Sequence, residues 1–464
     1  MNASPLAARR LALSLHVKMP ILLVSNGVRM RNLPMNHVPF RGDSTFLYFT
    51  GCDAPGAAAL IREGGHTTLF VEPPADDDAL WHGFVDDLEA MRVRWGADAI
   101  APLDTLEAAC RAIGGGLLSL AVPDTAATAR AAALTGLPLA YPGSMGPDAL
   151  VDAVIALRLR RDASELDHMR AAAAITAEAQ LAAMRATRVG QYEREIAALF
   201  DGVIAARGAT NAYQSIVTVR GEVLHNHAYG NRLEEGQLLL LDGGAEVEGY
   251  ASDVTRTWPV DGRFGPRQRD AYALVLAANE ACIDQVRPGA RYRDIHWGAM
   301  RILADGLRDL GLLRCGADEA VETGAVGVFF PHGVGHLLGL DVHDLESFGD
   351  RPAYTHGRTR PTQFGARYLR LDRDLEPGLV VTIEPGFYVV PAILHDPALR
   401  AAHAGRVDFA AAEAWIPFGG IRIEDDVLVT EGAPEVLSAA VPKSIDAIEA
   451  VVGRGPTARE RLSA

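Results

Sequence analysis

The chain has 464 residues, 49% of them hydrophobic and 22% charged, an ordinary globular composition that excludes a disordered, collagenous or small disulfide-stapled protein. Its 44 lysines and arginines stand against 59 acidic residues, a net charge of −15, and a surface of that sign repels a phosphate backbone, which argues against nucleic acid as a partner. At roughly 100–200 residues per domain, this length predicts two or three domains, each able to bury a core.

At the N-terminus, Arg9 and Arg10 precede a short apolar stretch that His16 and Lys18 interrupt, with no small-residue cleavage site after it. The stretch is too short for a secretory signal and reads as a solvated segment. No apolar run approaches the ~18–20 residues of a membrane span. Cys52, Cys110, Cys282 and Cys315 are far apart, without a C-x-x-C pair, which predicts reduced thiols and a cytoplasmic, membrane-free protein. Strands are expected over Pro20–Ser25, Ala58–Ile61, Thr67–Val71 and Leu117–Val122, and helices over Ala75–Leu88 and Leu103–Ile113. Strands alternating with helices predict an α/β domain. Pro138, Pro142, Gly143, Gly146 and Pro147 mark a boundary region, and the division is placed between residues 155 and 156. A long helix follows over Asp162–Arg188, with Met169 and Met184 read as core.

Beyond Gly208 the text changes to strands, glycines and clustered His, Asp and Glu. An internal echo predicts a duplicated antiparallel sheet: LEEGQLLLLDGG (233–244) and LEPGLVVTIEPG (375–386) each place a Gly six residues before an acid and another two after it. The acids are Asp242 and Glu384. A carboxylate at the end of a buried strand must be paired or bound to a cation. After Asp242, LLLLDGGAEVEGYASDVTRTW reads as a hairpin turning near Val247 and Glu248, which sets Asp242 roughly opposite Asp253. Two desolvated carboxylates side by side repel, and a cation between them resolves this; the alternative is a pair of solvated turn aspartates.

In PHGVGHLLGLDVHD, His332, His336 and His343 fall within twelve residues. The interspersed glycines disfavour a helix, and even spacing on a strand puts His332 and His336 on one face. Three histidines amid glycines favour a site over satisfied core residues. Glu384 ends the strand Leu379–Ile383, and Glu424 lies in GGIRIEDDVLV on one strand face with Arg422; alone, that pair would equally suit a sheet surface. Together, four carboxylates and an imidazole without a nearby thiol suit Mn, Co or Zn pairs. Two ions ~3.5–4 Å apart can hold a hydroxide at neutral pH and polarise a carbonyl. No G-x-S-x-G, H-E-x-x-H, P-loop or G-x-G-x-x-G occurs.

The order and spacing of LLLLDGGAEVEGYASDVTRTWPV, PHGVGHLLGLDVHD, VVTIEPGFY and GGIRIEDDV resemble the pita-bread metallopeptidases, in the branch of Xaa-Pro dipeptidases (prolidases) and Xaa-Pro aminopeptidases. FRGDSTFLYFTG, TLFV and LWHG resemble that branch's creatinase-like N-terminal domain, so the likeness covers nearly the whole chain. It implies an α/β creatinase-like domain over residues 1–155 and an α+β pita-bread catalytic domain over 156–464. Carried over residue by residue, Asp242, Asp253, His336, Glu384 and Glu424 would hold two divalent ions, manganese ahead of cobalt or zinc, with Asp253 and Glu424 bridging them around a hydroxide. Glu384 would also move the proton. His343, His332 and His225 would act on the substrate, and Tyr388 and Arg422 would support them.

Within the branch, RYLRLDRDLEPG, the insertion between Tyr388 and Gly419, and the tail VPKSIDAIEAVV resemble prolidases, with Arg370 as the clamp for a dipeptide carboxylate and Arg351 as its rival. A bidentate arginine is the natural partner of that carboxylate. The expectation is therefore a prolidase acting on Xaa-Pro dipeptides. The alternatives are a Xaa-Pro aminopeptidase acting on longer peptides and a non-catalytic peptide-binding protein on the same fold. The resemblance also implies a homodimer or homotetramer, with Trp81 of LWHG at the contact or, in the alternative, a half-buried packing residue.

Overall fold

The computed structural model describes residues 5–33 and 35–463. The chain divides into two compact units, Met1–Leu159 and Arg160–Ala464. The break follows the helix Asp148–Arg158, inside which the expected division at 155/156 falls.

In the first unit the apolar runs pair into a five-stranded sheet, in the order Ala99–Pro102, Thr67–Val71, Ala58–Ile61, Ile21–Val24, Leu118–Ser119. The inner pairs are antiparallel and the outer two parallel. Strands Ala58–Ile61 and Thr67–Val71 stand as expected, because each is wholly apolar or β-branched and buried along its length. The helix expected over Ala75–Leu88 is instead two short ones, Asp78–His82 and Leu88–Arg94, parted at Gly83 (φ 75°). The helix Thr125–Thr135 was not anticipated. Neither was the helix Pro5–His16: Arg10, expected in a solvated segment, is only 2% exposed. Its guanidinium donates to Phe49 O (3.2 Å) and Gly96 O (2.5 Å), so carbonyls replace the water it gives up. Trp81 is 62% exposed beside exposed Leu80 and Phe84, against the half-buried alternative.

The second unit is built on two interrupted hairpins of one design. In the first, Leu238–Gly243 pairs with Val254–Pro259, the ladder lapses, and Ala245–Val247 pairs with Tyr250–Ala251. In the second, Val380–Ile383 pairs with Asp425–Leu428, and Gly386–Tyr388 with Gly420–Arg422. The echo in sequence thus reflects a repeated hairpin. Each lapse is where strand backbones can splay, and carboxylates gather there. At Gly244 a Cβ would lie 1.7 Å from Ser252 O, so only glycine lets the first hairpin cross itself.

Two readings of register are corrected. The first hairpin turns at Glu248–Gly249, both at positive φ (50° and 83°), one residue beyond the expected turn. Asp242 therefore faces Thr255, not Asp253; the positive-φ pair that a two-residue hairpin loop demands decides the register. The histidine segment is not a strand: it makes a single bridge, Leu337 to Val381, and its glycines hold it as an irregular run beside Val380–Ile383. At Gly335 (φ 153°) a Cβ would meet Thr382 O at 2.2 Å, and this close approach lets His336 N donate to Thr382 Oγ1 (3.0 Å) and its carbonyl accept from Thr382 N (3.0 Å).

The helices Ala163–Ala186, Glu193–Ala206, Pro266–Ile283 and Tyr292–Asp309 flank these hairpins. The first opens on a capping box, Asp162 with Glu165, and buries Met169 and Met184, as its apolar periodicity predicts. Among the described residues no helix is long and apolar enough to cross a membrane.

Candidate metal centre

Four carboxylates converge where the hairpin ladders lapse. Asp242 lies on Leu238–Gly243 and Asp253 just ahead of Val254–Pro259. Register sets Glu384 directly across from Glu424, since Ile383 pairs with Asp425 and Gly386 with Arg422. His336 enters from the glycine-rich run. Ligand atoms of Asp253, His336 and Glu424 lie within 4.8 Å of one another. His336 Nε2 is 3.4 Å from Asp253 Oδ2 and 3.7 Å from Glu384 Oε1. Asp242, Asp253, His336 and Glu424 are buried, and the Glu384 side chain is 16% exposed.

This donor set fits divalent cations. His336 Nδ1 lies 3.0 Å from Leu337 O; a carbonyl only accepts, so Nδ1 carries a proton, and Nε2 is the nitrogen turned to the carboxylates, which would offer its lone pair to a cation once its own proton is displaced. Burial, then the Asp253 and Asp242 charges, push Glu384 up to about 7 against the pull of His336 and Arg422. Glu424 is raised well above the usual carboxylate range by burial and by Asp253, Glu384 and Asp242. Asp242 is raised by burial, with Arg422 opposing. Asp253 alone is lowered: burial pushes it up, but the His336 hydrogen bond and charge, together with Tyr213 and His343, outweigh that push. His336 rises to about 9 although burial opposes its charge, because Asp253 and Glu384 face it. Buried carboxylates crowded in this way need added positive charge to be ionised together.

The surrounding groups form one chain of hydrogen bonds. Arg422 is paired with Asp242 through Nη2 and donates to Tyr388 OH (3.1 Å) and Thr255 Oγ1 (3.0 Å). Thr255 Oγ1 in turn donates to Glu424 Oε2 (2.6 Å). His332 Nδ1 donates to Gly333 O (2.8 Å), so its Nε2 accepts from Tyr388 OH (2.8 Å). Burial and the Arg422 charge hold His332 down to about 3, which keeps it neutral. The His343 ring stands edge-on to His336, 4.4 Å between centroids, and is likewise kept neutral by burial and by His336. His225 is lowered by burial and by Arg422. Arg370 pairs with Glu346 (2.6 Å), and its charge reaches His225, His332 and His343; Arg351 is exposed.

The sequence reading missed Tyr213. Its hydroxyl lies within hydrogen-bond reach of both Asp242 Oδ1 and Asp253 Oδ1 and has one proton to donate between them. A lone tyrosine in NAYQS carries no periodic or spacing signal. It reaches the centre because Ile216–Thr218, which follows it, pairs with Leu240–Asp242.

The family model for metallopeptidase family M24 matches residues 167–431, and that for the aminopeptidase P N-terminal domain matches residues 6–117. A probable Xaa-Pro aminopeptidase of Penicillium rubens is 34% identical over 429 residues, 89% of this chain and 89% of the relative. One from Botryotinia fuckeliana is 32% identical over 420 residues, 89% and 88% of the two chains. Among solved structures, Pseudomonas aeruginosa aminopeptidase PepP superposes with a TM-score of 0.81 at 30% identity, over 96% of this chain and 97% of that one. Zn-substituted Escherichia coli aminopeptidase P in complex with product gives 0.78 at 28%, over 97% and 98%. These relatives favour the aminopeptidase alternative over the prolidase expectation. The chain therefore belongs to metallopeptidase family M24, in its aminopeptidase P branch.

Proposed function

We propose that this protein is a Xaa-Pro aminopeptidase that releases the first residue of peptides whose second residue is proline. The observation that carries the reading is the buried meeting of Asp242, Asp253, Glu384 and Glu424 with the His336 imidazole, its Nε2 turned to them, in a chain whose relatives bear that name. Asp242, Asp253, His336, Glu384 and Glu424 are the residues that would hold two divalent ions, and an oxygen-rich donor set favours manganese. When bound, such a pair makes water nucleophilic near neutral pH and polarises a carbonyl.

The chain's own residues handle the rest. Hydrolysis adds hydroxyl to the Xaa carbonyl carbon and hydrogen to the proline nitrogen as the C–N bond breaks. Glu384, raised to about 7 by burial and by the Asp253 and Asp242 charges, takes the water proton on an ionised carboxylate oxygen and then, as the acid, returns it to the leaving nitrogen, which as a tertiary amide has no hydrogen of its own. His343, kept neutral by burial and by its neighbour His336, would donate to the developing oxyanion. His332, Tyr388 and Arg422 hold one another and, through Asp242 and Thr255, hold the carboxylates in place. His225 and Arg370 would contact the peptide outside the metal ligands.

A Xaa-Pro-peptide and the matching Xaa-Pro dipeptide, assayed with metal-defined enzyme, test the reading. Higher kcat/KM on the longer peptide is expected. Turnover confined to the dipeptide would restore the prolidase reading.

A further inference from the structure

The tail text VPKSIDAIEAVV folds back towards the metal centre, and its Lys443 reaches Asn279, the side chain that bonds the backbone leading into both glutamates. The ladder between the strands of the second hairpin fails here. Ile423 N donates to Pro385 O (3.4 Å), but Pro385 has no N–H to give back, so Ile423 O has no ladder donor at that pair. The N–H groups of Glu384 and Glu424 leave the hairpin for Val334 O (2.8 Å) and Thr255 O (3.0 Å). Asn279, fully buried on the helix Pro266–Ile283, makes good the loss. Its Nδ2 donates to Ile423 O (3.2 Å) and to Ile383 O (3.1 Å). These are the carbonyls of the peptide units leading into Glu424 and Glu384, so one amide ties the two glutamates together.

An asparagine amide can face either way. Lys443 Nζ can only donate, and it sits 2.8 Å from Asn279 Oδ1, which turns the NH₂ group to the two carbonyls. The same ammonium donates to Asp425 Oδ2 (2.8 Å). Asp425 Oδ1 accepts from Arg256 Nη2 (2.7 Å) and Ser438 Oγ (2.7 Å). Arg256 spends its other donors on Glu424 O (2.6 Å), Thr255 O (3.0 Å), Val441 O (3.1 Å) and Pro442 O (3.2 Å). We propose that Lys443 and Asn279 are positioning residues that fix the spacing of Glu384 and Glu424 for metal binding, standing in for the broken strand ladder. The inference rests on the metal-centre reading above.

The test is a Mn²⁺ titration of the metal-free full chain, followed by the electron paramagnetic resonance of free aquated Mn²⁺ and of the spin-coupled pair. Parent, Asn279→Ala, Lys443→Met and Lys443→Arg are compared. Loss of an outer hydrogen-bond partner of a metal ligand weakens metal binding about 10–100-fold, and that loss is expected for Asn279→Ala and Lys443→Met, with a weaker spin-coupled signal. Lys443→Arg keeps a donor for Asn279 Oδ1 and recovers most of the affinity. With saturating Mn²⁺, kcat falls while KM stays near the parent's. Parent-like Mn²⁺ affinity and coupling, with only a lowered melting temperature, would show a merely structural role and overturn the inference. Lys443→Met leaves Asp425 short of a cation; should it not fold, Asn279→Ala and Asn279→Ser, neutral for neutral, decide the matter alone. A parent chain that binds no Mn²⁺ would overturn the metal-centre reading and this inference with it, whereas a metal-binding parent with unchanged variants would overturn this inference only.

Discussion

Tyr213 and Arg422 hold Asp242 from opposite sides, the phenol on Oδ1 and the guanidinium on Oδ2. Removing the phenol hydroxyl leaves the ring's packing in place but frees both aspartates to turn. Tyr213→Phe is therefore expected to weaken metal binding about tenfold, read by titration with Mn²⁺; unchanged affinity would remove Tyr213 from the site. Arg370 tests a different matter. If it receives a free C-terminal carboxylate, Arg370→Ala raises KM for a Xaa-Pro dipeptide and spares a longer Xaa-Pro-peptide, and equal effects on both would sink the clamp role. At this scale the sequence was legible wherever a residue sits in a pattern. The acids at the ends of apolar strands and the histidines among glycines announce themselves. Tyr213 and Asn279 do not, because their partners come from strands and helices distant in sequence, and no local spacing records that meeting.

The two interrupted hairpins are the elements that make the site possible. A continuous ladder would hold the two strands of each hairpin at one close spacing; the lapses release that pairing and open room for carboxylates. Gly244 permits the first crossing, with Ser252 O where a side chain would be. Gly244→Ala is predicted to cost about 3 kcal/mol or more, seen as a fall in melting temperature together with loss of metal binding; a variant that melts and binds like the parent would contradict this account of the crossing. The hairpin's existence was readable from two β-rich runs about a turn that carries Gly and Glu, but its register was not. One residue of turn, set by positive φ at Glu248 and Gly249, moved Asp242 from Asp253 to Thr255. In the first unit, helices such as Thr125–Thr135 escaped notice because an alanine-rich run carries little amphipathic contrast. The Pro5–His16 helix was hidden by its arginines, which read as surface until the carbonyls that bury Arg10 are known.

For the molecule as a whole, the crowded carboxylates link folding, protons and metal. Glu384, Asp242 and Glu424 take up protons more readily when folded than when unfolded. Between the unfolded glutamate value near 4.3 and the folded value of about 7 for Glu384, this carboxyl binds more protons in the folded metal-free protein than in the unfolded chain, so the stability it contributes falls as pH rises. A divalent cation replaces those protons. The rise in melting temperature on adding Mn²⁺ is thus expected to be small near pH 5 and to grow through pH 8; a rise independent of pH would contradict the linkage. A contact between copies of the chain through the exposed Trp81, Leu80 and Phe84 would make Trp81→Ala sediment as a smaller species than the parent, and an unchanged profile would contradict that contact.

Metal content and peptide turnover, measured on one preparation, bear most directly on the central claim. After complete chelation and dialysis the protein should release no residue from a Xaa-Pro-peptide. Titrated with Mn²⁺, it should bind two equivalents per chain and regain turnover as they fill. Full turnover by the chelated protein, or no bound Mn²⁺ at saturation, would contradict the assignment of these five side chains to a metal centre.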